Sequence, residues 1–435
     1  MKKSKLIILS ALTAMSLTSC SLFNDDDIVV ENHFSVKEEA GSTESTGVKV
    51  GDVEAIKVSD VPGASVFKNV VYSNLPDGKI ENTYKTGGAN YTKYNVNDGE
   101  DYVADKNNNN FDLYVPANLD REQEHNVILF IHGGAWISGL KSHVNPYVKL
   151  FANEGYIAAT IEYTLLSKDM DDPSLSIFRD LDEIDACVTT MVSCLKSLGF
   201  KEDKLSLVIG GASSGAHLAM LYAYSRATHP LPIKFIVDAV GPTDIQEDVW
   251  KAFKVTSEEE LNAALDAGIE YTTIKAKKDE NELRVLPVAG QGYDWNEYQT
   301  MRIANGMCGL PFELSEVEAS TTDEKKETVT DKTSDVYKSI VSDTLSGEKL
   351  LSVTYHLKSS VKIPILCAYA GKDSVVGIGQ FANLEDAMIH NSDKYVKGTD
   401  YEFFYFKNCG HVDLDTDTEQ YTAFSNKILD WLKNK

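Results

Sequence analysis

Residues 205–224 join three things in an order that few folds permit: a short apolar run, a glycine-flanked serine and an unbroken apolar stretch. Leu205-Ser206-Leu207-Val208-Ile209 has the near-continuous apolar character of a strand buried on both faces. Gly211-Ala212-Ser213-Ser214-Gly215 follows, and it fits the G-x-S-x-G turn that carries a nucleophilic serine from a strand into a helix. His217, Leu218, Met220, Leu221, Tyr222 and Tyr224 then run without a breaker to Pro230, as a helix packed on a sheet would. A sharp elbow strains the backbone at the serine, and only residues without bulk let strand and helix approach closely there. Such a pentapeptide also arises by chance, so its partners must come from elsewhere in the chain.

About eighty residues upstream, Asn126-Val127-Ile128-Leu129-Phe130-Ile131 runs into a second glycine turn, His132-Gly133-Gly134-Ala135-Trp136. Acyl transfer needs donors for the oxygen anion of a tetrahedral intermediate, and backbone N–H groups of such a turn supply them without reorganising. The expected donors are Gly134 and Ala135, joined by Ser214 from the elbow. His132 is expected to be a hydrogen-bonding strut for this turn.

A base and an acid should follow the serine in the order acid, then histidine, each just past a strand. The strand-like run Ile363 to Ala370 delivers Gly371-Lys372-Asp373-Ser374, and the aromatic run Tyr401 to Phe406 ends in Asn408-Cys409-Gly410-His411. Asp373 and His411 are therefore the expected acid and base. Asp244, in Gly241-Pro242-Thr243-Asp244 after the run Phe235-Ile236-Val237, stays open as a rival acid. His390 sits on an amphipathic helical stretch, where a solvated or capping role fits, and His217 is expected to point away from the pocket.

In these residues the chain resembles the α/β-hydrolase superfamily, and within it the esterase and lipase families with an HGG-type oxyanion turn. Phe111–Pro116 looks like the opening strand of these domains and Ala158–Tyr163 like the strand after the oxyanion turn. The helix with Asp182 and Ala186, the elbow and the Asp373 and His411 loops match in order. The resemblance covers roughly residues 66–245 and 350–435. It implies a mostly parallel central sheet flanked by helices, with a cap insertion after the sixth strand. It also implies Ser213 as nucleophile, His411 as base and Asp373 as the group that orients it. Two departures stand out: Thr164 follows Tyr163 where many relatives have arginine, and Ala135 replaces the third glycine of the HGGG subgroup.

Met1-Lys2-Lys3-Ser4-Lys5, the apolar stretch Leu6 to Leu17 and Leu17-Thr18-Ser19-Cys20 have the layout of an export signal (residues 1–19). The last four residues resemble the lipobox of bacterial lipoproteins, which makes Cys20 the expected lipidated N-terminus. That implies an exported protein held by lipid at the bacterial outer membrane, with the acidic run Asp25-Asp26-Asp27 similar to surface-export tags. Residues 20–60 are polar and are expected to be a flexible tether. The core is expected at 61–245 and 351–435.

A formal charge of −24 excludes nucleic acid as a partner and opposes clinging to anionic lipid. With Cys20 set aside, the six cysteines leave an odd number, which excludes a full disulfide framework. There is no C-x-x-C pair or H-E-x-x-H helix, and the chemistry requires no metal or cofactor.

The stretch between Asp244 and Ile363 far exceeds a connecting loop. Residues 246–350 are expected to be a cap-like insertion, with a helical stretch at Ser257–Gly268 and the aromatics Tyr293, Trp295 and Tyr298 either lining a pocket or forming the cap's own core. A second excursion, Tyr84 to Asn110, separates two opening strands. The leading expectation is a serine carboxylesterase acting on short acyl or feruloyl esters of carbohydrates or small molecules. The alternatives are a peptidase-like variant and a binding lipoprotein that kept the fold without turnover, against which the retained serine, acid, histidine and oxyanion turn argue.

Overall fold

The computed structural model describes residues 45–72, 109–166, 176–245, 307, 350–357, 361–373, 375–390 and 395–435. The expected signal, Cys20, most of the Tyr84 excursion and the expected insertion up to residue 349, Met307 excepted, lie outside the described residues.

The strands are β1 (Ser45–Val50), β2 (Val53–Ile56), β3 (Ala64–Val71), β4 (Asn110–Pro116), β5 (His125–Ile131), β6 (Ile157–Glu162), β7 (Leu205–Ala212), β8 (Ile233–Ala239), β9 (Ile365–Ala370) and β10 (Tyr401–Phe406). They form one ten-stranded sheet in the order β1-β2-β3-β4-β6-β5-β7-β8-β9-β10. From β1 to the β4–β6 pair the neighbours are antiparallel, and from β6 to β10 they are parallel. The helices are α1 (Asn145–Asn153), α2 (Ile177–Ser197), α3 (Ser214–Ser225), α4 (Val353–Leu357), α5 (Gly379–Ile389) and α6 (Thr418–Asn434).

Alternation along the central strands divides the core in two. Val127, Leu129 and Ile131 of β5 join Leu207 and Ile209 of β7 under α2, α3 and α5. Ile128, Phe130 and Val208 face the other way, against Val148 and Phe151 of α1 and Phe424, Ile428 and Trp431 of α6. Because both faces are covered, these strands are apolar at nearly every position, which is why they were legible as runs.

One expectation fails at the amino-terminal edge. Residues 45–56, assigned above to the tether, form β1 and β2, joined through Gly51 and Asp52 with Val50 paired to Val53. Gly51 has a φ of 56°, which a glycine adopts without the cost of a side chain. Val50 and Ala55 are buried, so the polar composition of the segment concealed one inward-facing position on each strand. Among the described residues, β8 is the sixth strand of the core that starts at residue 61, and the 246–349 segment follows it.

The chain leaves β5 for β6 on one side, then crosses back to β7 on the other. Strand order therefore reverses at β5, and a crevice at the carboxyl ends of the strands is expected there. The Ser213, Gly134, Asp373 and His411 segments all lie just beyond such ends, after β7, β5, β9 and β10.

Leu129 is fully buried in the middle of β5. Leu129→Ala should lower folding stability by about 2–5 kcal/mol, measured by urea denaturation; a loss below about 1 kcal/mol would contradict this packing.

Candidate active site

Ser213 sits between β7 and α3 with φ 53° and ψ −126°, a region that side chains rarely occupy. Its N–H donates to the Ala239 carbonyl at 2.8 Å, and its own carbonyl accepts from His217 N–H at 3.0 Å. The flanking glycines are sterically required. A Cβ on Gly215 would lie 2.2 Å from the Ile131 carbonyl oxygen, and one on Gly211 would lie 2.5 Å from the Gly215 carbonyl carbon.

The three expected groups meet in one hydrogen-bonded chain. Ser213 Oγ lies 2.9 Å from His411 Nε2, and His411 Nδ1 lies 2.7 Å from Asp373 Oδ2. Asp373 is fully buried, and its other oxygen accepts from Val375 N–H and Val376 N–H, both at 2.8 Å. With that oxygen occupied, the carboxylate turns its Oδ2 to the imidazole. The acid and base loops also brace each other: Gly371 N–H donates to the Phe406 carbonyl and Lys372 N–H to the Cys409 carbonyl, each at 2.9 Å.

Asp244, the rival acid, is engaged elsewhere. Its carboxylate accepts from the hydroxyls of Ser352 at 3.0 Å and Thr354 at 3.3 Å, while its backbone bonds the Gln380 side chain. It ties the end of β8 to α4 and α5. His390 caps the end of α5 and is exposed, with Nδ1 bonded to the Asp386 carbonyl at 2.8 Å.

The turn after β5 stands against the elbow. A Cβ on Gly133 would come within 2.8 Å of the Ala212 carbonyl oxygen and 3.2 Å of Ser213 Cβ. Gly134, Ala135 and Trp136 all have positive φ, at 129°, 52° and 63°. The Gly134 carbonyl is gripped by Ile137 N–H at 3.1 Å, Ser138 N–H at 3.0 Å and the Ser138 hydroxyl at 2.9 Å. The N–H groups of Gly134 and Ala135 donate to no other described residue. Ser214 opens α3, and a first-turn N–H has no acceptor inside its own helix.

His132 is buried beneath this turn, stacked on Tyr163 with ring centroids 4.4 Å apart, and bonded to the Gly133 carbonyl at 2.8 Å. It lies 3.6 Å from the Glu162 carboxylate, yet the ring is neutral, because burial pushes its pKa down to about 3. That agrees with a strut and not a proton carrier.

Sequence reasoning missed three supports. Trp136 Nε1 donates to His217 Nδ1 at 3.2 Å, a contact between residues eighty-one apart in the chain. Buried Lys141 binds Glu162 Oε2 through its N–H at 3.0 Å, and its ammonium reaches Asn69, Asn110 and Asp112. Arg179 on α2 reaches Thr164 Oγ1 at 3.1 Å and Glu183 at 3.0 Å, so a guanidinium is present beside the position just after β6 at which the resemblance leads one to expect arginine. Apart from the i,i+4 spacing of Arg179 and Glu183 on α2, nothing local in the sequence marks these pairs.

Burial also holds the His217 pKa down to about 4, and Asp238 is pushed up to about 7 by the same cause. A histidine kept neutral in the folded chain destabilises it as pH falls from about 6.5 toward the folded value, since the unfolded chain takes up the proton first. Asp238 acts oppositely, costing stability as pH rises toward 7. The difference between proteins isolates the histidine: His217→Gln should lose less stability than the parent between pH 7 and 4.5, read by urea unfolding. Equal slopes would contradict a buried neutral His217.

Residues 111–278 match the family model described as BD-FAE. Isoprenylcysteine alpha-carbonyl methylesterase ICME of Arabidopsis thaliana is 27% identical over 128 residues, covering 29% of this chain and 28% of that protein. The chain thus matches little more than a quarter of that relative's length. Among solved structures, a phosphonate-inhibited esterase B from Lactobacillus rhamnosis superposes with a TM-score of 0.45 and 14% identity, over 74% of this chain and 81% of that one. A truncated carbohydrate esterase from gut microbiota gives a TM-score of 0.48 and 14% identity, over 87% and 99%. The segment that matches the BD-FAE model thus holds the glycine-flanked serine at the switch point of a mostly parallel sheet flanked by helices, an arrangement similar to that of the α/β hydrolases.

Proposed function

We propose that the protein is a serine esterase that removes short acyl or feruloyl groups from carbohydrate or small esters through an acyl-enzyme. The observation that carries this reading is the continuous chain from Asp373 through His411 to Ser213 Oγ. The BD-FAE match and a relative named as a methylesterase support an ester as the bond that is cut.

A neutral serine hydroxyl is a poor nucleophile, so His411 Nε2 takes the Oγ proton as Oγ attacks the ester carbonyl. The Nδ1–H donates to Asp373 Oδ2, which leaves the lone pair on Nε2 and stabilises the imidazolium as it forms. The oxygen anion settles on the N–H groups of Gly134, Ala135 and Ser214. His411 then gives its proton to the departing alcohol, and the acyl group stays on Ser213. Water, deprotonated by the same imidazole, attacks the acyl-enzyme; the Oγ–acyl bond breaks, the acid leaves, and Ser213 Oγ takes the proton back from His411. The lipobox-like run ending at Cys20 supports an exported, lipid-anchored enzyme, which would meet polymeric esters outside the cell.

The test is a p-nitrophenyl ester series from acetate to decanoate, together with acetylated and feruloylated xylan. Short chains should be preferred, and Ser213→Ala should reduce kcat/KM by about 10⁴-fold or more. Equal rates in the two proteins would sink the assignment of Ser213.

A further inference from the structure

Two large side chains at the site have no part in that scheme: Trp136 in the oxyanion turn and His217 one helical turn beyond Ser213. The indole Nε1 lies 3.2 Å from His217 Nδ1, and His217 Nε2 lies 2.8 Å from the Leu351 carbonyl oxygen. Donor chemistry fixes both contacts. An indole nitrogen can only donate and a carbonyl oxygen can only accept, so Nδ1 carries the lone pair and Nε2 the hydrogen. His217 is thus a single neutral tautomer with both ring nitrogens engaged. It is fully buried, and the two rings meet edge-on at 85°.

The position of this contact matters more than its strength. The proposed oxyanion hole has two arms, Gly134 and Ala135 after β5 and Ser214 at the start of α3. They come from different elements, and a tetrahedral oxygen requires them at a fixed separation. Trp136 adjoins the first arm in a left-handed conformation that costs energy, so it needs an outside tether. Its carbonyl has one tether, from Leu166 N–H at 2.9 Å, and its indole has the other. His217 is fixed to the second arm, since its N–H donates to the Ser213 carbonyl at 3.0 Å. Leu351, the third party, is a buried residue that follows the 246–349 segment in the chain.

We propose, resting on the esterase reading, that His217 is a positioning residue of the oxyanion hole. It accepts from Trp136 and donates to Leu351, which locks the two donor arms in register and ties them to the chain just before α4. A protonated ring would place two donors face to face at Trp136, and burial that keeps His217 neutral serves the same end.

The variants are Trp136→Phe, which removes only the indole donor; His217→Met, which removes the clamp; and His217→Gln, whose amide can accept from the indole and donate to Leu351. The first two should lower kcat about tenfold to a hundredfold with KM little changed. They should weaken a trifluoromethyl ketone, which mimics the tetrahedral oxyanion, by the same factor. Hydrogen exchange at the amides of residues 134–138 should accelerate in both, and His217→Gln should retain most of what His217→Met loses. A purely structural role would lower the melting temperature without separating kcat from KM. Parental kcat and ketone affinity in Trp136→Phe would overturn the proposal, as would unchanged exchange at 134–138. If Ser213→Ala hydrolyses as well as the parent, the esterase reading fails, and the exchange data still decide whether His217 holds the turn.

Discussion

The close approach of α3 to the end of β5 is the constraint on which the site depends. At Gly215 a single methyl group would fall 2.2 Å from the Ile131 carbonyl oxygen and 2.4 Å from that of His132. That contact puts Ser213 directly beside the oxyanion turn, since β5 runs straight into Gly133 and Gly134. Were the helix displaced to admit a larger residue, the proposed nucleophile and the proposed oxyanion donors would separate. The parallel register between β5 and β7, with Ile131 paired to Gly211, brings the two turns level before either side chain is considered.

Much of this was legible in the sequence because the parallel strands are covered on both faces. A strand such as Val127 to Ile131 cannot hide its apolar character, and a glycine turn at its end is equally visible. Order along the chain then gave Ser213, Asp373 and His411. The β1–β2 hairpin escaped because it lies at a sheet edge, where each strand buries a single residue, Val50 or Ala55, too few to show as an apolar run. Its Val50-Gly51-Asp52-Val53 turn was a usable signal, overridden by the composition of the segment.

Other features were not legible in principle. Asp244 and Asp373 both follow strands, and local sequence treats them alike. What separates them is tertiary: Ser352, Thr354 and Gln380, more than a hundred residues on, occupy Asp244, whereas the brace between the Gly371 and Cys409 loops delivers Asp373 to His411. The partnership of Trp136 with His217 is of the same kind. Each residue has an unremarkable local setting, and the meaning resides in a pairing that only folding creates.

Strain and support are matched across the site. Ala135, Trp136 and Ser213 occupy left-handed backbone, which costs each of them roughly 1–3 kcal/mol. No element relieves its own strain. Ser213 is held from β8 through the Ala239 carbonyl, and Trp136 is held by Leu166 and His217. The exit of the oxyanion turn is held by Lys141, whose buried ammonium is paired with Asp112 and bonded by two asparagine side chains. A buried charge of this kind contributes little net stability, because desolvation offsets most of the attraction. Its effect is geometric, because removing Asp112 would leave a buried ammonium without the carboxylate paired with it. The turn is therefore held by groups that gain little from being there and lose much by leaving, which is how a strained backbone stays in one conformation.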